Sequence, residues 1–527
     1  MLGQTTRGSY ILTRGESRRT FCEFDKEMMG PILDTKGVEQ GGIASSDNYK
    51  LYNNEQGTTA ENSNLGVTVR DITISSITLA DDTVLTSNSI INLHLLLHLT
   101  TQYCKKYRVE LVADKTKLLV FSNNPEEAQV AYAKLISPIT LYGQEIAFSD
   151  QAEHLGILRS VSAGNFPNIM ERVAAHNKKL FSVLPAGIAL HHHANPAACL
   201  RVEQLYALPV LLSGLSALVL TKQETDIISA CYKNTLQRLM KLHDRTPDCA
   251  VFFLAGSLPA KALLHLRQLS LLNMISHLEG NNLKRLQTKI LIEAKPGANS
   301  WIQQVRDICV QYQLPHPLEL FSCPMRKQSF KTLCKQKVSE FWHRKLSQDA
   351  DLPSLTYLQP SFLSLSSPHP IFSSLDGNPY QAKAARIQSL FISGRYRSEE
   401  LCRFWSQNKE GFCLLESCKN FQVSENIEHI LLRCCGLTET RRRLMAFTKK
   451  YIANKPVLKP IVESYLFSED ETLRMQFLMD CSVLPLVITT YQEYGAIIHQ
   501  DLFRISRTWC RSVHVARLKA LGRYCAV

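Results

Sequence analysis

The sequence lacks an apolar run long enough to cross a bilayer. Its most apolar stretch, Leu205 to Leu220, lacks charge for 16 residues but contains Pro209 and Gly214, and it falls short of the roughly 20 residues a spanning helix needs. It reads instead as a buried helical segment, and no membrane partner is expected. The opening residues, MLGQTTRGSY, carry neither an apolar signal core nor a clear targeting pattern, and the chain reads as beginning abruptly. No repeat recurs at solenoid period. Acidic charge is in deficit: 47 aspartates and glutamates face 60 lysines and arginines, for a net charge of +13 and a pI near 9.0. That field favours a polyanionic partner.

Cysteine is plentiful, with 16 residues, but they are scattered along the chain and no secretory signal precedes them. A dense disulfide framework is therefore a poor fit, and reduced thiols or a local metal site a better one. Hydrophobic content of 45% over 527 residues suffices for several compact cores, as expected of a globular, soluble, multi-domain protein.

Along the chain, residues 1–160 mix periodicities. Val67 to Leu79 alternates polar and apolar residues as a half-buried strand does. Asp81 and Asp82 interrupt it and Thr83-Val84-Leu85 resumes it, which predicts a hairpin with an acidic turn. Asn88 or Ser89 can cap the helix that follows, with apolar positions at Ile90, Leu93, Leu96, Leu97, Thr100 and Tyr103. Leu118 to Phe121 and Ile139 to Phe148 return to a strand pattern. Residues 161–350 are helical and leucine-rich, broken at Pro185, Pro196, Pro247 and Pro259. A Pro/Ser-rich connector spans 351–385. A Cys/His module with a basic helix occupies 386–450, and a basic helical segment with Arg504, Arg507, Arg511, Arg517 and Arg523 occupies 451–527.

Two adjacent carboxylates at a strand end repel each other unless a cation sits between them. Two-metal phosphoryl or nucleotidyl transfer uses such groups to hold divalent ions. An isolated Asp-Asp pair is more often a solvated turn, so context decides. Upstream, KGVEQGGIASSDNYKLYNNEQ places Gln40-Gly41-Gly42 before a helix starting at Ser45 or Ser46. Such glycines permit close backbone approach to a ligand, and Gln40 can bond a base or sugar. Downstream lie Lys115-Thr116-Lys117 and then His154-Leu155-Gly156-Ile157. Lys115 alone would be an ordinary surface lysine.

Near the other end, Cys413, Cys418, His429 and Cys434 form C-x4-C-x10-H-x4-C. Zinc takes four thiolate or imidazole ligands tetrahedrally, and short spacings let one loop and one helical turn supply two each. Ile427 to Leu432 is apolar enough to be that turn. Buried, reduced cysteines beside a hydrogen-bonded histidine are the competing reading. Cys435 and Cys402 are spare candidates. Gly394-Arg395-Tyr396-Arg397 and Trp405 could combine phosphate contact with base stacking, or form a solvated helix end with one packed Trp. His191-His192-His193 reads as surface or packing. Glu469, Asp470 and Glu471 read as the acidic first turn of a helix, with Ser468 and Glu471 at capping-box spacing.

The order of these parts resembles the palm, thumb and tail of the reverse transcriptases of non-LTR (LINE-type) retrotransposons. That family places a QGG loop, an aromatic-Ala-Asp-Asp turn, a helix, a Lys-Thr element, a Leu-Gly strand and a terminal Cys-Cys-His-Cys element in this sequence. The resemblance implies an α+β chain: part of a right-hand polymerase palm, then a mostly helical thumb and connector, then a small zinc-knuckle-like module. It implies RNA-directed DNA synthesis on an RNA template with a DNA primer or target. Asp81 and Asp82 would be catalytic ligands of magnesium (Mg2+), Gln40, Gly41 and Gly42 would contact template and incoming nucleotide, and Lys115 the nucleotide phosphates. Cys413, Cys418, His429 and Cys434 would bind zinc (Zn2+). The chain departs from the family at Leu79, where Tyr or Phe is usual, and at Ser46, where Pro is common. The family's third metal-binding aspartate and its fingers would precede residue 1. Asp25 imitates that aspartate but lies too close to Gly41. Poor polymerisation by the chain alone is therefore expected, which leaves a nucleic-acid-binding remnant as the alternative.

Overall fold

The computed structural model describes residues 18–24, 27–34, 45–79, 82–107, 109–122, 130, 138–183, 185, 194–293, 299–404 and 410–523. Among the described residues helices dominate and the strands pair in small antiparallel sheets, so the class is α+β as expected. The chain divides into two compact units, residues 1–164 with 280–292, and residues 165–279 with 293–527.

Among the described residues the first unit is built of hairpins and three α-helices. Strands β1 (Arg18–Phe24) and β2 (Glu27–Asp34) pair, followed by the helix Ser45–Asn62. The single strand expected over Val67 to Leu79 is three short ones: β3 (Val67–Val69), β4 (Ile72–Ile74) and β5 (Ser76–Leu79). Arg70 takes a left-handed φ of 63°, which with Asp71 closes a two-residue turn between β3 and β4. Asp71 is in turn held by Lys289 and, at 3.8 Å, by Arg285 of the helix Asn282–Ile292. The expected hairpin around the aspartates forms: β5 pairs with β6 (Asp82–Leu85), with Leu79 opposite Asp82.

The next helix, Ile90–Tyr107, buries Leu96, Leu97, Thr100 and Tyr103, the face its spacing indicated. Leu97 joins Leu118, Ile139, Leu141 and Ile146 in one apolar cluster. A parallel bridge between Leu118 and Phe148 and the hairpin Thr140–Leu141 with Gln144–Glu145 supply the strand character expected there. Leu155 and Gly156, with φ of 53° and 70°, turn the chain between the strands Gln151–His154 and Ile157–Ser160. Among the described residues no sheet exceeds two strands.

The second unit is helical. Pro196 starts one helix at its first turn, and Pro247 and Pro259 cap two others, so three of the expected breaks are helix starts. Asp248–Ala255 is buried nearly all round. The stretch Leu205 to Leu220 buries Ala207, Leu208, Leu211, Leu212, Leu215, Leu218 and Leu220. Among the described residues no single helix is long and apolar enough to cross a membrane.

The Pro/Ser-rich segment lies inside this unit rather than at its edge. Leu355, Leu358, Leu363, Leu365, Ile371 and Phe372 are buried. Gly256 (φ 58°) meets it so closely that a Cβ there would fall 1.7 Å from the Ser367 carbonyl oxygen. His369 in this segment bonds Asp480 at 3.0 Å, both side chains fully buried. Arg507, 1% exposed, donates to the Ile371 carbonyl, Ser374 and Gln381. It sits on the C-terminal helix Ala496–Ala520, against the helix Pro379–Ile392.

Candidate metal centre

Four side chains that sequence spacing nominated converge within the second unit. The ligand atoms of Cys413, Cys418, His429 and Cys434 lie within 4.8 Å of one another, and all four residues are buried. Such a group could hold a metal ion such as zinc. The loop around Cys413 is fixed by a bridge between Phe412 and Ser424 and by the Cys413 N–H donating to the Val423 carbonyl at 2.9 Å. Cys418 lies on the one-turn helix Glu416–Lys419.

The second pair depends on an unusual turn. Five residues of α-helix rotate about 500°, which would leave positions 429 and 434 about 140° apart. The segment His429–Arg433 is instead π-helical, closed by the Cys434 N–H donating to the His429 carbonyl at 2.7 Å. The wider turn brings the pair back towards one face. Asn426 fixes its start by accepting from the His429 N–H at 2.8 Å.

The donor set fits zinc in its dimensions. Sulfurs 2.3 Å from a central zinc ion sit about 3.8 Å apart at the corners of a tetrahedron. Cys434 Sγ is 3.9 Å from Cys413 Sγ and 3.7 Å from Cys418 Sγ. His429 Nε2 is buried with no hydrogen-bond partner. The neighbouring Cys434 sulfur, together with burial, pushes the Cys413 thiol up to about 12.

Hydrogen bonds tie this corner to its surroundings. The Cys434 carbonyl accepts from Arg441 at 2.6 Å. Glu425, 1% exposed, takes two bonds from Arg517, at 2.9 and 2.6 Å, and accepts the Glu399 N–H at 2.8 Å. Sequence spacing gave no hint of this Glu425–Arg517 pair, because the partners lie 92 positions apart. Cys435 is exposed and Cys402 half-buried, and neither belongs to the group.

Other expected sites are placed differently or lie beyond description. Gln40, Gly41, Gly42, Asp81, Asp25, His191, His192, His193 and Trp405 are outside the described residues. Asp82 is exposed at the start of β6. Lys115 is exposed on the turn Ala113–Lys115. Among the described residues no carboxylate cluster able to hold a metal forms at Asp82. Tyr396 does not offer a free stacking face: it is 3% exposed, stacked on Phe391 at 3.8 Å, and its hydroxyl bonds His514. Asp470, rather than Ser468, caps the helix Glu471–Met479, accepting from the Thr472 N–H at 2.7 Å.

The basic helix is present as Thr438–Ile452. Arg442 and Arg443 are exposed and share Glu439 at 2.7 Å, and their hydrogen bonds, Arg442 first, hold its carboxyl down at about 2. Beside them an open groove of about 350 Å³ is lined by Thr440, Arg443, Leu444, Phe447, Thr508 and Ser512. No family model and no curated protein matches the sequence.

Proposed function

We propose that this chain is the palm, thumb and zinc-bearing tail of a non-LTR retrotransposon reverse transcriptase, and that its second unit is a zinc-stapled body that holds nucleic acid. The buried Cys413, Cys418, His429 and Cys434 group carries this reading. Its three thiols and one imidazole, within 4.8 Å of one another, are the donor types that zinc prefers, and the group sits in a chain of net charge +13 next to an arginine-bearing helix. In this reading zinc fixes the loop at 411–425 against the π-turn, while Arg442, Arg443 and Phe447 beside the groove meet phosphate and base. Removing zinc should weaken binding to an RNA template annealed to a DNA primer, and binding should fall steeply with salt.

Under the polymerase reading, Asp81 and Asp82 hold magnesium, Gln40, Gly41 and Gly42 face template and nucleotide, and Lys115 faces phosphate. The order of these motifs supports that assignment. A binding role without chemistry is the second reading, supported by the buried Cys3His group and the exposed Arg442 and Arg443. Primer extension with magnesium separates the two. Synthesis that Asp81→Ala and Asp82→Ala abolish supports the polymerase, whereas salt-dependent binding without extension supports the binding role. Absence of both binding and extension would refute the proposal.

A further inference from the structure

Away from the Cys3His group, three side chains from distant positions meet inside the second unit. His176 lies on the helix Phe166–Ser182, Glu203 opens the segment Glu203–Ala207, and Cys231 lies on the helix Lys222–Met240. His176 Nε2 is 2.9 Å from Glu203 Oε1, and His176 Nδ1 is 3.6 Å from Cys231 Sγ. The His176 and Glu203 side chains are fully buried, whereas Cys231 keeps partial exposure. The two ring nitrogens face opposite partners, so no single metal ion can take all three.

Two further observations set this cluster apart from an ordinary buried pair. Segment 203–207 is π-helical, a widening of the helix that occurs mostly at functional sites. The other π-helical segment among the described residues is the one that begins on the metal-site histidine, His429. Moreover, Glu203 Oε2 is buried with no hydrogen-bond partner, which is costly for a carboxylate. A histidine serving packing alone commonly completes its ring bonds with a backbone carbonyl, a better acceptor than a thiol. Here the second nitrogen meets a thiol, which can give up its proton to it.

We infer that Cys231, His176 and Glu203 form an activated-thiol site at which Cys231 is open to covalent modification by small oxidants of the peroxide class. Glu203 holds one ring nitrogen of His176, and the other carries the proton given up by Cys231. The thiolate sulfur attacks one peroxide oxygen, so an S–O bond forms as the O–O bond breaks. With hydrogen peroxide the departing hydroxide takes the Nδ1 proton and leaves as water. Sulfur is oxidised by two electrons to a sulfenic acid and the peroxide is reduced. Among the described residues the ionisable groups facing the imidazole are Glu203 and Cys231, and Tyr232 lies beside Glu203 with its phenol bonded to Ser257 at 2.7 Å. Burial opposes charge on the ring, but its bonds to Cys231 and Glu203 raise His176 to about 10, consistent with a cationic ring.

The test uses the full chain. Iodoacetamide labelling is followed by peptide mass spectrometry at Cys231 and, in the same sample, at the exposed Cys323. An ordinary thiol loses about tenfold in rate per pH unit below its pKa of about 8.5. Between about pH 8 and about pH 6, Cys323 should follow that slope while Cys231 slows less than about tenfold. Glu203→Gln should restore the ordinary slope at Cys231. After hydrogen peroxide, a dione probe for sulfenic acid should label Cys231 in preference to Cys323. Comparing slopes within the wild-type chain needs no variant to fold. Parallel slopes at the two cysteines, a Cys231 inert at every pH, or equal dione labelling would each overturn the inference.

Discussion

At the scale of single residues, the buried charges offer the sharpest leverage. Arg517 and Glu425 are both nearly inaccessible and doubly bonded, so removing one partner strands a buried charge. Arg517→Ala should destabilise the second unit by about 3–5 kcal/mol, measured by chemical denaturation. A loss below about 1 kcal/mol would show that water replaces the pair. His176 adds a pH dependence. Its folded pKa of about 10 lies above the ordinary histidine value of 6.5. Its contribution is therefore fully present below about pH 6.5 and is lost as pH rises towards 10. Glu203→Gln should flatten that decline in a denaturation series across this range, and an unchanged slope would remove His176 as its source. The four residues of the candidate metal centre were legible in the sequence because metal ligands often cluster at short spacings. The His176, Glu203 and Cys231 set was not, because its members come from three segments and meet only through helix packing.

At the scale of elements, the local signals held wherever local chemistry decides the outcome. The helix Ile90–Tyr107 and the hairpin of β5 and β6 follow from apolar spacing and an acidic break. The apparent long strand over Val67 to Leu79 broke because Arg70 and Asp71 form a tight turn whose acid is held by Lys289 and Arg285, some 215 positions away. Alternation of residues cannot report such a partner. The segment 351–385 looked like a connector by composition. Its leucines nevertheless fill the second unit's core, and its backbone presses against Gly256. Gly256→Ala adds a Cβ at positive φ and against a backbone oxygen. It should cost more than about 1 kcal/mol, with lowered Tm as the readout, and a wild-type Tm would mean that the 367–368 backbone moves aside freely.

At the scale of the whole chain, the +13 net charge overstates what is offered to a polyanion. Of the arginines expected to form a basic tail, Arg507 and Arg517 are buried in internal bonds and Arg523 pairs with Glu399. Arg511 lies over the Tyr380 ring at 3.7 Å and Arg504 over Tyr451 at 5.7 Å. Arg442 and Arg443 remain exposed. Replacing both with Ala should lower the salt dependence of primer-template binding by up to about two in the log-log slope, leaving stability nearly unchanged. An unaltered slope would move the contact elsewhere.

The central claim is the zinc site. The most direct measurement is elemental analysis of the purified full chain, wild type beside His429→Ala, Cys413→Ser and Cys435→Ser. The account predicts stoichiometric zinc in the wild type and in Cys435→Ser, and loss of zinc with a lowered Tm in the other two. Zinc content unchanged in His429→Ala and Cys413→Ser would contradict it.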